Sequence, residues 1–483
     1  MKRGGCPAKG ALPAQVFKMF DSAIHDLRRR ALAAAMPGGV LLFAGNDDAP
    51  TNFRANIYPF VQDGCFRYFF GINRPGLIGL IDVDAGESWL FGEESTIDAT
   101  IWLGAQPSLA EQAEAVGIRH VGSPADLGAR LALAKSQGRA IQHPPAYRAD
   151  TLLKLAALLG SPTDTVAQHR APALTAAIIA LREIKAPEEI AEMEAALAVT
   201  RAMHHAAMAA TRPGVPEHAV AGLIEGIARG ADLHLAYQTI FSGRGEILHN
   251  LRYDRVLGDG ELVVNDSAAV SQRGYASDIT RTLPVSGRFD PLQRRLYEAV
   301  LRAQQEAIAE TRPGASYLQL HLGAARVLAE ELIGLGLFRG DPATVVESGA
   351  YALCFQCGLG HQIGLDVHDM EALGEDNVGY DAEISRSTLF GLKNLRLGKR
   401  LRPGMVVTME PGLYFIPQLI DLWRAERRHA ELIDYDRFDA FRGFGGIRIE
   451  DDVLVTETGA RILGEPIARS VDEVEALMGT GPR

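Results

Sequence analysis

The chain has 483 residues, 47% of them hydrophobic, and a formal net charge of −11 at pH 7. This length exceeds what one hydrophobic core usually supports, so we expect two domains. The acidic balance argues against nucleic acid or an anionic membrane as the main partner, because both carry negative charge.

Residues 1–15 carry positive charges but no continuous apolar run after them, so they are not typical of a secretory signal. No stretch approaches the roughly 18 apolar residues of a membrane span. The four cysteines, Cys6, Cys65, Cys354 and Cys357, are too few and too irregularly spaced for a disulfide framework in a chain of this size. We therefore expect a cytoplasmic protein without a membrane partner.

The first predicted element is a helix over residues 16–36, where apolar residues recur at helical spacing on one face. A short buried strand is predicted at 39–45. Residues 66–92 are predicted to form two or three strands, separated by Asn-Arg-Pro-Gly and Asp-Ala-Gly turns. Helical and strand patterns then alternate without a catalytic constellation, so we expect an α/β domain over residues 1–170.

A long helix is predicted to begin at Pro187, because proline is tolerated in the first helical turn and the two glutamates after it favour the positive end of a helix. The helix ends at Thr-Arg-Pro-Gly, residues 211–214, and the same four residues recur at 311–314 after a similar helix. A second helix is predicted after each Pro-Gly break. This repeat indicates a duplicated unit of helices and strands within a second domain, residues 171–483.

The most distinctive stretch is GLGHQIGLDVHDME, residues 358–371, in which His361 and His368 lie among glycines that allow close approach to a ligand. Histidines of such a segment can equally be satisfied core or surface residues. Three other fragments place acids at the end of, or within, a run of Val, Ile, Met and Thr that is typical of a buried strand. These acids are Asp266, Asp278, Glu410 and Glu450.

Carboxylates buried in strands are costly unless a partner neutralises them. The four acids with one neutral histidine carry about four negative charges, which two divalent cations would cancel. A turn over residues 271–274 would bring Asp266 and Asp278 together on antiparallel strands. Arg448 lies two residues before Glu450 and would therefore point to the same side of a strand. The residues thus predict a two-metal site with an arginine beside it.

Four motifs resemble those of the proline-specific metallopeptidases of the pita-bread fold, prolidase and aminopeptidase P of peptidase family M24B. In chain order they are GYASDITRTLPVSG, GLGHQIGLDVHDME, PGMVVTMEPGLYF and GFGGIRIEDD, and the resemblance covers roughly residues 15–470. It implies an α/β (α+β) architecture, in which a mixed aminopeptidase-P-type domain precedes a pseudo-symmetric pita-bread catalytic domain. It also implies metal-dependent hydrolysis of the peptide bond before proline.

The resemblance assigns roles to the motif residues. It implies that two divalent metal ions are held by Asp266, Asp278, His361, Glu410 and Glu450. A hydroxide between the ions would attack the scissile carbonyl, and Glu410 would carry a proton to the leaving amine. The carboxylate-rich ligand set suits Mn²⁺ better than Zn²⁺, although Co²⁺ or Zn²⁺ would also fit.

Residues around the ligands receive roles in the same way. His368 and His249 match the family's outer histidines, which steady the substrate carbonyl and the tetrahedral intermediate. Arg396 matches the prolidase arginine that binds the free carboxylate of a dipeptide, and Arg448 would assist it. Cys357 departs from the motif, because the family usually has a histidine there. This departure is expected to alter rate or substrate preference without removing a ligand.

Alternatives stay open at this stage. The insertion between Glu410 and Glu450, residues 416–441, resembles prolidases, which cleave Xaa-Pro dipeptides, more than aminopeptidases P, which remove the first residue from longer peptides with proline in second position. A non-catalytic pita-bread binding module is disfavoured because the ligands are retained. The C-x-x-C of Cys354 and Cys357 lacks the second pair of a zinc site, and G-x-S-x-G, H-E-x-x-H and P-loop motifs are absent. We expect small peptide substrates and a homo-oligomer, with a dimer favoured.

Overall fold

The structure is a computed structural model that describes residues 20–480. The chain divides into two compact units between Leu181 and Arg182. Cys6 and the start of the helix predicted over 16–36 lie outside the described residues. Among residues 20–480, no helix has both the length and the apolar composition needed to cross a membrane.

The first unit contains a mixed β-sheet and the helices that pack against it. Its described strands are β1 (Val40–Ala44), β2 (Pro50–Phe53), β3 (Asn56–Ile57), β4 (Ile78–Asp82), β5 (Glu87–Phe91), β6 (His120–Gly122) and β7 (Ile141–Gln142). Its described helices are α1 (Ser22–Ala34), α2 (Gly64–Phe70), α3 (Ile97–Leu103), α4 (Leu109–Ala115), α5 (Pro124–Ser136), α6 (Ala149–Leu159) and α7 (Thr163–Ala167). Helix α8 (Pro172–Arg182) continues the chain toward the second unit.

The main sheet of this unit has the strand order β6-β5-β4-β1-β7 within the described residues. The three central strands are antiparallel, and each edge strand is parallel to its neighbour. Apolar residues of β1 and β4 pack with Leu127 and Leu131 of α5 to form the core. The strand predicted at 39–45 is confirmed as β1.

The prediction for residues 66–92 is wrong in its first part, which belongs to α2 and not to a strand. Asp63 begins this helix, because its side chain accepts a hydrogen bond from the backbone N–H of Phe66 at 2.8 Å. Gly71 ends it with a φ of 71°, a conformation that glycine adopts without strain. The rest of the segment forms β4 and β5 as predicted.

The second unit contains long helices and short antiparallel strands. Its described helices are α9 (Pro187–Ala210), α10 (Glu217–Gly230), α11 (Pro291–Glu310), α12 (Tyr317–Gly334), α13 (Pro342–Glu347), α14 (Glu375–Gly379), α15 (Pro417–Ala425), α16 (Tyr435–Phe438) and α17 (Val471–Leu477). Its described strands are β8 (His234–Leu235), β9 (Ile240–Ser242), β10 (Leu262–Asp266), β11 (Ala269–Val270), β12 (Thr280–Pro284), β13 (Val406–Met409), β14 (Gly412–Tyr414), β15 (Gly446–Arg448), β16 (Asp451–Val455) and β17 (Ala460–Ile462). Within the described residues they pair as β12-β10-β9, β11-β8, β13-β16-β17 and β14-β15.

The helix predicted from Pro187 is confirmed as α9, and Thr-Arg-Pro-Gly segments join α9 to α10 and α11 to α12. In each copy the threonine hydroxyl donates to the carbonyl four residues earlier, at 2.7 and 2.8 Å. The glycine of each copy, Gly214 or Gly314, has a φ of 82° and donates its N–H to a leucine carbonyl at 2.8 Å. The repeated geometry supports the predicted duplication.

One hydrophobic core supports the strands that carry the predicted ligands. It includes Met203 of α9, Leu296 of α11, Val263 of β10, Val407 of β13 and Val453 of β16. Because the same core touches both helix pairs and these strands, the backbone under the predicted site is held from one side by packed helices.

Candidate metal centre

A cavity of about 640 Å³ in the second unit brings together the residues predicted for the site. Its lining includes the five predicted ligands, Asp266, Asp278, His361, Glu410 and Glu450. The predicted substrate-side residues also line it, namely His249, Cys357, His368, Arg396 and Arg448. Side chains from distant parts of the sequence therefore face one space.

Three of the predicted ligands lie close enough to share one ion. Ligand atoms of Asp278, His361 and Glu450 are within 4.8 Å of one another, and all three residues are buried. The Nε2 of His361 is 3.5 Å from Oδ2 of Asp278 and 3.6 Å from Oε1 of Glu410. Carboxylate oxygens and an imidazole nitrogen at this spacing suit a divalent cation.

Asp266 and Asp278 are brought together by strand pairing and by a tyrosine. Asp266 ends β10 and lies opposite Thr280 of β12, while the turn predicted at 271–274 closes with a backbone hydrogen bond of 2.8 Å. The hydroxyl of Tyr237 is 2.6 Å from Oδ1 of each aspartate. Since a hydroxyl has one hydrogen, it can donate to only one of the two carboxylates at a time. The second carboxylate therefore needs another partner.

Arg448 and Glu450 both contact the side chain of Thr280. The threonine hydroxyl donates to Oε2 of Glu450 at 2.7 Å and accepts a hydrogen bond from Nε of Arg448 at 3.1 Å. The Nη2 of Arg448 lies 2.5 Å from Oδ2 of Asp266. Arg448 therefore brings a buried positive charge directly to one carboxylate of the group.

Backbone pairing places His361 beside Glu410. The N–H of Thr408 donates to the carbonyl of His361 at 2.9 Å, and the N–H of Glu410 donates to the carbonyl of Leu359 at 2.8 Å. A Cβ at Gly360 would lie 2.4 Å from the carbonyl oxygen of Thr408, so this approach requires glycine. The Nδ1 of His361 is 3.0 Å from a backbone carbonyl, which leaves Nε2 as the ligand nitrogen.

The carboxylates of the cavity have too little positive charge around them. Burial, followed by the charge of Asp266, raises the pKa of Asp278 to about 7. Burial also raises the pKa of Glu410 to about 7. Burial and the neighbouring carboxylates hold the pKa of Glu450 well above its usual range. The pKa of His361 is lowered by burial, so its ring is neutral at pH 7.

The donor atoms of these residues are of the kind that binds divalent metal ions. His361 and Arg448 face three buried carboxylates and the half-buried Glu410, so the ionised group carries an excess of negative charge. Oxygen donors with a single imidazole are the ligands of hard divalent ions. Cations at this place would satisfy both the charge and the unshared carboxylate oxygens.

At the wall of the cavity, His368, Glu371 and Arg396 form a chain of polar contacts. The Oε2 of Glu371 is 2.7 Å from Nδ1 of His368 and 3.2 Å from Nε of Arg396. The hydrogen bond with His368 lowers the pKa of Glu371 to about 2. The rings of His361 and His368 meet edge to face, with their centroids 4.2 Å apart. This wall therefore begins next to a predicted ligand.

Cys357 lies on another part of the wall. Its Sγ is 3.8 Å from the hydroxyl of Tyr414, which accepts a hydrogen bond from Nη1 of Arg448 at 3.0 Å. Burial raises the pKa of the Cys357 thiol to about 12, so the thiol stays protonated at pH 7. The cysteine therefore adds no charge to the carboxylate group.

Three side chains of this site were not predicted from the sequence, namely Tyr237, Thr280 and Glu371. Thr280 lies two residues after Asp278, so strand alternation could have found it. Glu371 follows His368 by three residues within the most distinctive stretch of the sequence. Tyr237 has no comparable signal, because it precedes Asp266 by 29 residues and reaches it only through the fold.

A hydrolase that uses carboxylate-bound metal ions is the class of protein that this fold and site define. Residues 191–457 match the model of metallopeptidase family M24, and residues 25–141 match that of the aminopeptidase P N-terminal domain. The chain belongs to metallopeptidase family M24.

Relatives of two activities are similar over nearly the whole chain. The Xaa-Pro dipeptidase of Homo sapiens is 30% identical, with 97% of this chain and 94% of that protein covered. The Xaa-Pro aminopeptidase of Escherichia coli strain K12 is 32% identical, with 93% of this chain and 96% of that protein covered.

Solved structures of aminopeptidase P are also similar to this chain over nearly its whole length. Aminopeptidase P from E. coli with the inhibitor Pro-Leu superposes with a TM-score of 0.76 at 29% identity, covering 95% of this chain and 98% of that one. Zinc-substituted E. coli aminopeptidase P in complex with product gives a TM-score of 0.78 at 28% identity, covering 96% and 100%. The predicted family, fold class and metallopeptidase character are confirmed by these matches.

Proposed function

We propose that this member of family M24 hydrolyses the peptide bond before proline and prefers Xaa-Pro dipeptides, which is the activity of a prolidase. The observation that carries the proposal is the convergence of Asp266, Asp278, His361, Glu410 and Glu450 on one cavity. The Xaa-Pro specificity is supported by similarity to relatives named for it. The alternative is aminopeptidase P activity on longer peptides with proline in second position. A non-catalytic binding module is disfavoured because the metal ligands are retained.

The five ligand residues would hold two divalent ions, and Mn²⁺ is proposed because carboxylate oxygens dominate the ligand set. Co²⁺ or Zn²⁺ would also fit these donors. Bound ions would activate a water molecule and polarise the scissile carbonyl. The protein's part is to keep the carboxylates together, and Tyr237, Thr280 and Arg448 do so for Asp266, Asp278 and Glu450 through the contacts described above.

Glu410 is proposed as the group that moves protons. Its carboxylate lies in the cavity, with Oε1 3.6 Å from Nε2 of His361, so it would adjoin water activated at the proposed metal site. It would take a proton from the attacking water and deliver it to the amine of the leaving proline. The leaving group is the ring nitrogen of proline, which is released as a secondary amine, because the scissile bond is a tertiary amide without an N–H.

His368 and His249 are proposed to contact the substrate carbonyl and the tetrahedral intermediate. Both rings line the cavity, and His368 lies next to His361. Glu371 occupies Nδ1 of His368, so Nε2 is the nitrogen left for the substrate. The proposed role of His249 is supported by its place in the cavity lining.

The preference for dipeptides rests on Arg396, which lines the same cavity. A dipeptide places its free carboxylate next to the proline ring, whereas a longer peptide has an amide there. A guanidinium binds such a carboxylate through charge-assisted hydrogen bonds. Arg448 is proposed to assist by adding positive charge nearby.

A cytoplasmic homodimer is also proposed. Among the cysteines of residues 20–480, Cys65, Cys354 and Cys357 are free, which suits a reducing compartment. Helix α3 exposes Ile97, Ile101, Trp102 and Leu103, and an apolar surface of this kind is typical of an interface. Sedimentation of Trp102→Glu beside the unchanged protein tests the dimer, since loss of self-association is expected in the variant.

The assay that tests the activity uses protein loaded separately with Mn²⁺, Co²⁺ or Zn²⁺ and compares Ala-Pro with Ala-Pro-Ala. Faster turnover of Ala-Pro is expected, with Mn²⁺ giving the highest activity. Faster turnover of the tripeptide would assign the protein to the aminopeptidase P activity. Arg396→Ala is expected to raise the KM for Ala-Pro, and an unchanged KM would remove the role of Arg396.

A further inference from the structure

Glu371 contacts two groups that have different tasks in the proposed reaction. One oxygen, Oε2, lies 2.7 Å from Nδ1 of His368 and 3.2 Å from Nε of Arg396. The preceding residue, Met370, is buried and has a φ of 63°, an unfavourable backbone conformation for a residue other than glycine. The chain accepts this strain at the residue that leads into Glu371.

Arg396 is therefore engaged by an acid of the protein before any substrate arrives. The side chains of Glu371 and Arg396 are both 36% exposed, so the pair faces solvent and a ligand can reach it. An incoming carboxylate would compete with Glu371 for the guanidinium. Exposed ion pairs of this kind exchange partners at low cost, because each pair is weak.

Glu375 provides a comparison at the same guanidinium. Its Oε1 is 3.6 Å from Nε of Arg396, but its Oε2 is bound by Arg386 at 2.6 Å. Glu375 thus already has a cation of its own, whereas Glu371 contacts both groups that are proposed to bind the substrate, His368 and Arg396. Of these two acids, Glu371 is the one that lies closer to Arg396 and also contacts His368.

We propose that Glu371 is a specificity-determining residue of this peptidase, which competes with the C-terminal carboxylate of a dipeptide for Arg396 and also positions His368. The proposal rests on the proposed function and refines it. Glu371 weakens the binding of substrates that carry a carboxylate next to proline, relative to substrates with a neutral group there. It therefore reduces the discrimination between dipeptides and longer peptides that Arg396 alone would give.

If Glu371 positions His368, glutamine and alanine at residue 371 should have different effects on activity. Glutamine keeps an oxygen that can accept the hydrogen bond from Nδ1 of His368, but it carries no charge to compete for Arg396. Alanine removes both the charge and the acceptor. Glu371→Gln should therefore change carboxylate binding alone, while Glu371→Ala should also reduce turnover.

The experiment measures kcat and KM of the Mn²⁺-loaded protein for Ala-Pro and for its carboxamide, in which the carboxylate is replaced by a neutral amide. Glu371→Gln is expected to lower the KM for Ala-Pro by up to about fivefold, the effect of one exposed ion pair, and to leave the KM for the carboxamide unchanged. Glu375→Gln should change the ratio of the two KM values less. Glu371→Ala should add a loss of kcat for both substrates, which Glu371→Gln restores.

An unchanged KM ratio in Glu371→Gln, or an equal change in Glu375→Gln, would overturn the proposal. Binding of L-proline and of prolinamide to the same Mn²⁺-loaded proteins is measured by calorimetry alongside, because it does not depend on turnover. Tighter binding of proline, but not of prolinamide, is expected in Glu371→Gln, and the difference should vanish when Arg396→Ala is added. If the unchanged protein cleaves neither substrate, the proposed function fails, whereas the proline comparison still decides the role of Glu371.

Discussion

Buried acids lie near both ends of the segment from His361 to Asp369, and the two places differ in the cations that accompany the acids. Asp369 is bound by Nη2 of Arg182 at 2.7 Å and by Nζ of Lys185 at 2.9 Å. Burial acts to raise the pKa of Asp369, but the charges of Lys185 and Arg182 outweigh it and lower the pKa. At the His361 end, Asp278, Glu410 and Glu450 have raised pKa values.

The difference separates a structural ion network from a site built for a ligand. The protein supplies Asp369 with two buried cations of its own, so that group is complete in the folded chain. The carboxylates around His361 receive Arg448, and without a bound cation Asp278, Glu410 and Glu450 hold protons more strongly than free acids do. A shortage of positive charge among these acids is thus the physical feature that distinguishes the candidate metal centre.

The acids of the cavity, Asp266, Asp278, Glu410 and Glu450, form the cation-poor group. Removing a charge from this group should give the largest effect on activity. Glu410→Gln keeps the shape of the side chain but removes its charge and its ability to move a proton. We expect kcat for Ala-Pro in the Mn²⁺-loaded protein to fall by about 10²–10⁴-fold. Glu383→Gln, which changes an exposed acid paired with Arg400, is the matched control and should retain its activity. Activity of Glu410→Gln close to that of the control would contradict the role of Glu410.

Removing Asp369, whose charge is balanced by Arg182 and Lys185, should instead lower the stability of the fold. Asp369→Ala leaves Arg182 and Lys185 buried without their shared carboxylate, and we expect the free energy of unfolding to fall by about 3–5 kcal/mol. Asp366→Ala is the control, because Asp366 also contacts Arg182 at 3.0 Å but its side chain is 45% exposed. That variant should lose about 1 kcal/mol or less. Urea unfolding of chelator-treated protein measures both, and equal losses would show that burial of the pair is unimportant.

The comparison is sharpened by the pH dependence of metal binding. Asp278 and Glu410 have pKa values of about 7 in the metal-free protein, so both release protons when a cation binds below that pH. Affinity for Mn²⁺ should therefore fall as the pH is lowered from 8 to 6, by about tenfold for each group that must lose its proton. Calorimetry in buffers of different ionisation enthalpy measures the proton release, and an affinity independent of pH over this range would contradict the raised pKa values.

Much of this arrangement can be predicted from the sequence, because local signals carry it. Pro187 followed by glutamates predicts the start of α9, and acids in apolar strands predict that carboxylates converge. The turn at 271–274 is predicted by its residues and closes as expected. For α9 and for the turn, the deciding interaction lies within a few residues of the signal, whereas the acids are recognised by the cost of burying an unpaired charge.

The remainder depends on contacts between distant segments. The hydroxyl of Tyr237 contacts Asp266 across 29 residues of sequence, at the end of a strand that pairs with β9 and β12. Arg182 precedes Asp369 by 187 residues, so no local pattern shows that the two charges cancel. The α2 segment is apolar enough for a strand, and its cap at Asp63 decides for a helix. Sequence patterns thus find the acids, but they do not show which acids the protein neutralises by itself.

The smallest expected effect concerns Cys357, at the edge of the cation-poor group. Its thiol is protonated and lies 3.8 Å from the hydroxyl of Tyr414, which links it to Arg448. Cys357→His restores the imidazole that the family motif places there, and adds a hydrogen-bond donor for the substrate. We expect kcat for Ala-Pro to rise by about twofold to tenfold, the value of one hydrogen bond. Cys357→Ser removes the thiol without adding an imidazole, so an equal gain in that variant would show that loss of the thiol, and not the imidazole, is responsible.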